Sequence, residues 1–201
     1  MRKKFLLKII AIICIFIGIT LFCFPQVSNY VYEETVKQDK KDFIEKISKD
    51  ETIDVLQQLY TELQHRNEEL YKNKQANLVD PFSYEQSSLD LTQYGIQDNV
   101  IGYIRIPKME IELPILLGAN SANMKKGAVH LTETSYPIGG NNTNSVIAAH
   151  RGYGKAKLFR HIEKLEKGDN IYIQNFREEL TYQVYEIKLV SPDDIRELAI
   201  Q

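Results

Sequence analysis

The stretch S-V-I-A-A-H-R-G, residues 145–152, predicts the end of a buried strand that brings a histidine to the rim of the fold. Ser145 to Ala149 are small or β-branched residues, and Arg151-Gly152 favours a turn. Histidine exchanges protons near neutral pH, so His150 is a candidate general acid and base. From this stretch alone, a structural hydrogen-bonding role is the alternative.

The sequence on either side of this stretch predicts a mainly β fold with helices. Alternating apolar residues over 101–113 indicate half-buried strands, and Pro107 and Pro114 confine these strands to edges, ends or bulges. Helical spacing of apolar residues predicts a helix at Lys155 to Lys167. Alternation predicts a strand at Asn170 to Phe176 and a second strand, with a bulge, at Leu180 to Val190. Glycine, proline and asparagine between Thr134 and Asn144 predict an irregular loop that leads into the His150 strand. Many short strands with few helices are typical of a closed or nearly closed β-barrel.

The N-terminal region predicts a membrane anchor followed by helices. Residues 5–24 are apolar over the length that crosses a bilayer, and the basic residues that flank them, Arg2, Lys3, Lys4 and Lys8, place the N-terminus in the cytoplasm. A cleaved signal peptide is the alternative, but no Ala-x-Ala site follows, which favours an uncleaved anchor. From Ser28 to about Lys74, helical spacing predicts two helices broken near Asp50. One of them is expected to pack on the domain in preference to forming a coiled-coil stalk.

Composition excludes several classes of function. The 201 residues are 43% hydrophobic and 26% charged, which suits one globular domain with additions. The net charge is −2, and because four basic residues and no acidic ones precede residue 25, the remainder is more acidic still. Nucleic acid is therefore not an expected partner. Both cysteines, Cys14 and Cys23, lie in the apolar segment, so the sequence predicts no disulfide framework, no metal centre and no cofactor.

A set of short motifs, taken in order, resembles the sortase family: G-Y-I-R-I-P-K at 102–108, L-P-I at 113–115, H-L at 130–131, T-S-Y-P-I-G-G at 134–140 and A-H-R-G at 149–152. Upstream of them, Asp80-Pro81-Phe82 resembles the lid motif of class C, the pilin-polymerising sortases. The resemblance implies an incomplete sortase-type β-barrel at 95–201, preceded by a helical region with the lid at 26–94 and by the cytoplasmic tip and membrane anchor at 1–25. His130 matches a family position to which we assign a structural role, and Glu133 stands where relatives commonly have glycine.

What the resemblance implies is a cysteine transpeptidase on the outer face of a Gram-positive cell membrane, active in pilus assembly or cell-wall attachment. A thiolate cleaves a Leu-Pro-x-Thr-Gly-like sorting signal of a pilin or surface protein, and an amine from a pilin lysine or a cell-wall precursor resolves the thioacyl enzyme. His150 matches the catalytic histidine, while Asp80 and Phe82 inherit the lid's contacts with the arginine and cysteine of the site.

The sequence departs from the family pattern after Val190. The Thr-Leu-x-Thr-Cys strand and the later arginine of the family have no counterpart here, and this leads us to expect an inactive, truncated class C sortase with unpaired strand edges. A catalytically dead, membrane-tethered module that binds pilin tails or a partner sortase is the alternative. Peptide binding without cleavage would favour that second interpretation.

Overall fold

Two long helices form the N-terminal part of the protein. The computed structural model describes residues 2–78, 89–96, 99–152, 156–191 and 194–200. Helix α1 spans Arg2–Ile47 and α2 spans Asp50–Lys72, so the predicted break near Asp50 is confirmed. Helix α1 passes through Pro25 without interruption, and the apolar run and the polar segment after it therefore form one continuous rod.

A curled half-barrel sheet of six strands forms the rest of the fold. Its order is β4-β3-β2-β1-β5-β6, with β2 and β3 parallel and all other neighbours antiparallel. The strands are β1 (Val100–Ile106), β2 (Ile111–Leu117), β3 (Ala128–His130), β4 (Ile147–Ala148), β5 (Asn170–Asn175) and β6 (Glu179–Gln183). A four-residue helix α3 (Ser121–Met124) precedes β3, and single 3₁₀ turns occur at Leu91–Tyr94, Pro107–Met109, Ile162–Lys164 and Arg196–Leu198.

The two prolines of the β1–β2 hairpin lie where a missing backbone N–H is tolerated. Pro107 opens the 3₁₀ turn that follows β1. Pro114 lies inside β2, but β3 pairs with β2 only from Ile115 onward, so the strand has no β3 partner at Pro114. The predicted confinement is confirmed for Pro107, at a strand end, whereas Pro114 lies within a central strand at a position that β3 does not pair.

The apolar face of α2 packs on the sheet to form the core. Leu59 and Leu63 are fully buried, and Leu56 is buried beside them. They belong to one cluster with residues from β1, β2 and β5, which includes Ile101, Ile104, Leu113, Ile115 and Ile173. The packing of α2 on the domain is therefore confirmed, because its apolar stripe is covered by the sheet.

Helix α1 is also fixed to the domain. Val36 is buried, and the ring of Phe43 contacts that of Tyr103 edge-on, with centroids 5.4 Å apart. Lys40 pairs with Glu112 on β2. These contacts lie beyond the apolar run, so residues 5–24, whose apolar side chains are exposed, form the part of α1 that extends away from the domain.

Three elements of the structure differ in type or in length from those predicted from the sequence. The helix expected at 155–167 is absent from 156–167, where Phe159 N donates to His150 O at 2.9 Å and Lys157 N donates to the Asn29 side chain. The bond from Phe159 takes an amide that a helix would use within itself, and the bond from Lys157 fixes the segment to α1. The strand expected from Leu180 ends at Gln183, because Gln183 pairs with Asn170, the first residue of β5, and later residues pass beyond that strand. The strand expected at 145–149 is only Ile147–Ala148.

Candidate active site around His150

His150 lies two residues beyond β4, at one end of the sheet order. Within β4, Ala148 pairs with Val129 and Ile147 pairs with His130, and this fixes the strand next to β3. The backbone carbonyl of His150 accepts the hydrogen bond from Phe159 N, whose ring is buried in the core. The predicted delivery of this histidine by a strand end is confirmed. The residue is half-buried, so the imidazole is accessible from the rim of the sheet.

The turn after His150 requires glycine. Gly152 has φ +95°, a left-handed conformation that side chains disfavour. A Cβ added there would lie 2.5 Å from Nε of Arg160, so the guanidinium packs directly over the turn. Arg151 pairs with Glu163 at 3.0 Å between exposed side chains. The histidine is therefore followed by a tight turn covered by a cation.

The loop that leads into β4 is held by polar side chains from both of its flanks. Thr134 Oγ1 donates to Leu131 O at 2.7 Å and accepts from Val146 N at 3.2 Å. Ser135 N donates to Asn144 O at 2.9 Å, and its hydroxyl accepts from Asn144 N. Because Thr134 and Ser135 are fully buried, these bonds are shielded from water and fix the approach to the histidine strand.

Two asparagines from other elements complete this support. Asn67 of α2 bonds the backbone of Tyr136, and Asn175 at the end of β5 donates to Pro137 O at 3.2 Å. The Oδ1 atom of Asn175 also accepts from Arg177 N and Glu178 N, which closes the β5–β6 turn. The sequence reasoning missed both residues. A signal existed for Asn67, which falls on the same helical stripe as Leu59 and Leu63, where a polar side chain is out of place.

His130 is buried in the core beside this loop. Its Nε2 atom lies 3.0 Å from Ser135 O and 3.3 Å from Thr134 Oγ1, and its ring stacks on Tyr136. Burial lowers the pKa of His130 to about 4, against the hydrogen bonds to the Ser135 and Thr134 backbone, which raise it. A histidine that stays neutral and enclosed at physiological pH fits the structural role assigned to it from sequence.

The backbone conformation of Glu133 is one that glycine adopts more readily than other residues. Its φ is +69°, in the left-handed region, and its carbonyl accepts from Gln75 Nε2 at 2.8 Å. Gln75 Oε1 in turn accepts from Ile200 N at 2.6 Å. The left-handed backbone at this position therefore forms with a glutamate, at a conformational cost.

The remaining predicted site residues fall elsewhere. Asp80, Pro81 and Phe82 lie outside the described residues. Cys14 and Cys23 are exposed on the apolar part of α1. Among the residues that the structure describes, no three histidine, cysteine, aspartate or glutamate side chains are grouped so as to hold a metal ion.

A sortase domain model matches residues 104–200, which include the His150 turn and the loop before it. The solved structure of sortase C from Clostridium perfringens is 34% identical, with a TM-score of 0.63 over 82% of each chain. This chain belongs to the sortase family. Sortases are cysteine transpeptidases, so the resemblance stated from the motifs is confirmed at the level of the family.

Two further relatives show how far the likeness of this sortase extends. Sortase C1 of GBS Pilus Island 1 is 28% identical, with a TM-score of 0.69 over 84% of this chain and 83% of that one. Sortase D of Bacillus subtilis is 33% identical over 100 residues, which are 50% of this chain and 48% of that protein. The chain therefore spans about half the length of that curated relative. Its structural neighbours include class C, pilus-related sortases.

Proposed function

We propose that this sortase is the histidine-bearing part of a membrane-anchored class C enzyme that joins pilins or surface proteins to an amine. The single observation that carries the proposal is the position of His150, at the end of an outer strand of the sheet. Among the described residues, β4 pairs only with β3, so its other edge is open. A strand added there would lie about 4.8 Å from β4 and could bring a side chain within reach of His150.

The chemistry needs a thiolate on such an added strand. The thiolate attacks the carbonyl carbon of the threonine in a Leu-Pro-x-Thr-Gly-like signal, while protonated His150 gives its proton to the departing glycine amine. A thioester then holds the substrate. The incoming amine loses its proton to His150 as it attacks, and the thiolate is released. An arginine that donates to the oxyanion would complete the site.

We further propose that this chain, by itself, does not transfer peptides. Its two thiols lie on the exposed surface of the apolar part of α1, away from the sheet that carries His150. Loss of the nucleophile in a comparable mechanism lowers the rate by roughly a millionfold.

Residues 80–82 are proposed as the lid, and the position of the residues just upstream supports this. Gln75 and Asn77 line a cavity of about 400 Å³ together with Thr132 and Glu133, so the described chain before residue 79 lies beside the loop of the site.

The anchor is proposed from helix α1. Its apolar window has a mean hydropathy of 2.8, and no part of that window is buried against the domain. The positive residues at its start orient the N-terminus toward the cytoplasm, so the sheet would lie on the outer face of the membrane.

A split-enzyme assay tests the function. The chain is mixed with a separate polypeptide that carries the family's Thr-Leu-x-Thr-Cys strand and the following arginine, and cleavage of a labelled sorting-signal peptide is followed with hydroxylamine as the amine. We expect no cleavage by the chain alone, cleavage by the mixture, and a loss of at least about a thousandfold in the mixture with His150→Ala. The matched control is His161→Ala, which removes a histidine from the 3₁₀ region and should leave the rate unchanged.

Two outcomes would contradict the proposal. Equal cleavage by the mixtures with and without His150 would remove the histidine from the mechanism. Saturable peptide binding with no cleavage in either mixture would instead favour a tethered binding module for pilin tails.

A further inference from the structure

Helix α1 carries the domain very close to its apolar segment. The apolar run ends at Phe24, and only five residues later the Asn29 side chain accepts a hydrogen bond from Lys157 N at 3.1 Å. The hydroxyl of Tyr32 donates to Lys126 O at 2.7 Å. With a rise of 1.5 Å per residue, these two contacts lie about 7.5 and about 12 Å beyond Phe24 along the helix axis.

These two heights beyond Phe24 place the contacts near the outer edge of the headgroup layer of a bilayer. A hydrocarbon core of about 30 Å within a bilayer of about 40–45 Å leaves a headgroup layer of roughly 5–8 Å on each side. Because α1 is continuous from Arg2 to Ile47 and is bonded to the domain, the height of the domain above that layer is fixed by the helix. The surface around Lys126 and Lys157 would therefore face the headgroups at close range.

Basic side chains are concentrated at this level. Lys125 and Lys126 are exposed, and Arg160 is exposed in the turn whose amide bonds Lys157 O at 2.9 Å. The acidic residues of α1 at the same height have cationic partners. Glu33 pairs with Lys157 at 3.4 Å, and Glu34 pairs with Lys37 at 2.6 Å.

We propose that Lys125, Lys126 and Arg160, here called the basic surface, bind the anionic phospholipid headgroups of the leaflet from which α1 emerges. The inference rests on the membrane anchoring proposed above. Attraction between exposed charges acts over about a Debye length, roughly 8–10 Å, which exceeds the gap of at most about 7 Å that the helix geometry leaves above the headgroup layer. Anionic lipids would then draw the domain down onto the membrane.

The basic surface is connected to the candidate active site. Phe159, between Lys157 and Arg160, bonds the backbone carbonyl of His150, and the Arg160 guanidinium covers Gly152. Binding of headgroups to this surface would hold the His150 turn next to the membrane. A substrate still tethered in the same bilayer would meet the site there.

Energy transfer in nanodiscs tests the inference with the full chain. A donor dye is attached at Ala122→Cys, an exposed position of α3, after Cys14→Ser and Cys23→Ser, and an acceptor dye is placed on lipid headgroups. We expect higher transfer efficiency in discs with about 30% phosphatidylglycerol than in discs of phosphatidylcholine alone. Because salt screens the attraction, this difference should disappear at roughly 0.5 M salt. The variant Lys125→Gln/Lys126→Gln/Arg160→Gln should lose the difference as well. It retains Lys157, so the contact with α1 is preserved.

The matched control removes three lysines far from the membrane. Lys41→Gln/Lys46→Gln/Lys49→Gln neutralises residues about 25 Å or more beyond Phe24, and we expect it to keep the lipid-dependent difference. Equal transfer in both kinds of disc, or loss of the difference in the control, would overturn the inference. Flotation of the chain with neutral vesicles after an alkaline wash tests the anchor separately. A chain that floats but shows no lipid dependence refutes only the basic surface, whereas a chain that does not float refutes the anchor and the inference together.

Discussion

Asn67 exchanges two hydrogen bonds with the backbone of Tyr136: its Oδ1 accepts from Tyr136 N at 2.8 Å, and its Nδ2 donates to Tyr136 O at 3.3 Å. The asparagine is buried on α2, and Tyr136 lies in the loop that leads into the His150 strand. A helix side chain thus replaces the strand partner that this stretch of loop does not have. The relationship fixes the path of the loop toward the candidate site.

Replacing Asn67 by alanine should therefore destabilise the protein. The substitution leaves two buried backbone groups of Tyr136 without these partners, and we expect the free energy of unfolding to fall by about 2 kcal/mol. Urea unfolding of the full chain in mild detergent measures the change. Gln64→Ala, at an exposed position one turn earlier on the same helix, is the control and should change stability by less than about 0.5 kcal/mol. Similar effects of the two substitutions would argue against the role given to Asn67.

Relief of backbone strain at Glu133 should stabilise the protein. A left-handed conformation costs a residue with a Cβ roughly 1–2 kcal/mol, and glycine avoids that cost while losing part of the gain to chain entropy. We expect Glu133→Gly to raise the free energy of unfolding by about 0.5–1 kcal/mol in the same urea assay. Glu133→Ala keeps the Cβ and should show no such gain. A stabilisation by alanine as large as that by glycine would assign the effect to the carboxylate instead.

The buried imidazole of His130 should make stability depend on pH. Its pKa falls from 6.5 to about 4 on folding, mainly because burial disfavours the charged form. Above pH 6.5 the ring is neutral in both states. Between pH 6.5 and 4 the unfolded chain binds a proton that the folded chain does not, so stability is lost as the pH falls, by about 3 kcal/mol in all.

The comparison that isolates this contribution uses His130→Gln, which cannot titrate. Urea unfolding at pH 7, 5.5 and 4.5 should show that the free energy of unfolding falls less steeply with decreasing pH in the variant than in the unsubstituted chain. Titration of carboxylates contributes equally to both proteins. Parallel pH profiles of the two proteins would refute the assignment.

Gln75 should hold the segment at 196–200 against the loop of the site. Its side chain accepts from Ile200 N at 2.6 Å and donates to Glu133 O, while Asn144 Nδ2 donates to Glu197 O and Ala199 O. Gln75→Ala removes the hydrogen bonds to Ile200 N and Glu133 O. We therefore expect the amide hydrogen-exchange rate at Ile200 to rise by about tenfold, which corresponds to a fall of about 1.4 kcal/mol in the free energy of local opening. Amides of β1 should be unaffected. The control Gln57→Ala, on the exposed face of α2, should leave Ile200 unchanged, and an equal rise in β1 would indicate global destabilisation.

Much of the fold followed from short-range patterns. The stripe formed by Leu56, Leu59 and Leu63 predicted that α2 would pack on the sheet, and alternation over 101–113 predicted the β1–β2 hairpin. The prediction of a helix at 155–167 was wrong. An irregular segment that buries Leu158 and Phe159 in the core has the same spacing of apolar residues as a helix. The position of His150 was predicted by the motif and the turn after it, whereas Asn67 and Asn175 act across long sequence separations that local periodicity does not report.

By itself, the sequence determined the family, the apolar segment near the N-terminus, the two helices and the histidine at a strand end. These depend on local composition, on periodicity and on an ordered set of motifs, all of which can be recognised along a single chain. Only the tertiary structure decided that α1 continues unbroken into the domain, that His130 is enclosed and neutral at physiological pH, and that Glu133 adopts a left-handed turn. Each of these depends on which distant groups supply the hydrogen bonds and exclude water, and those groups meet only when the chain has folded.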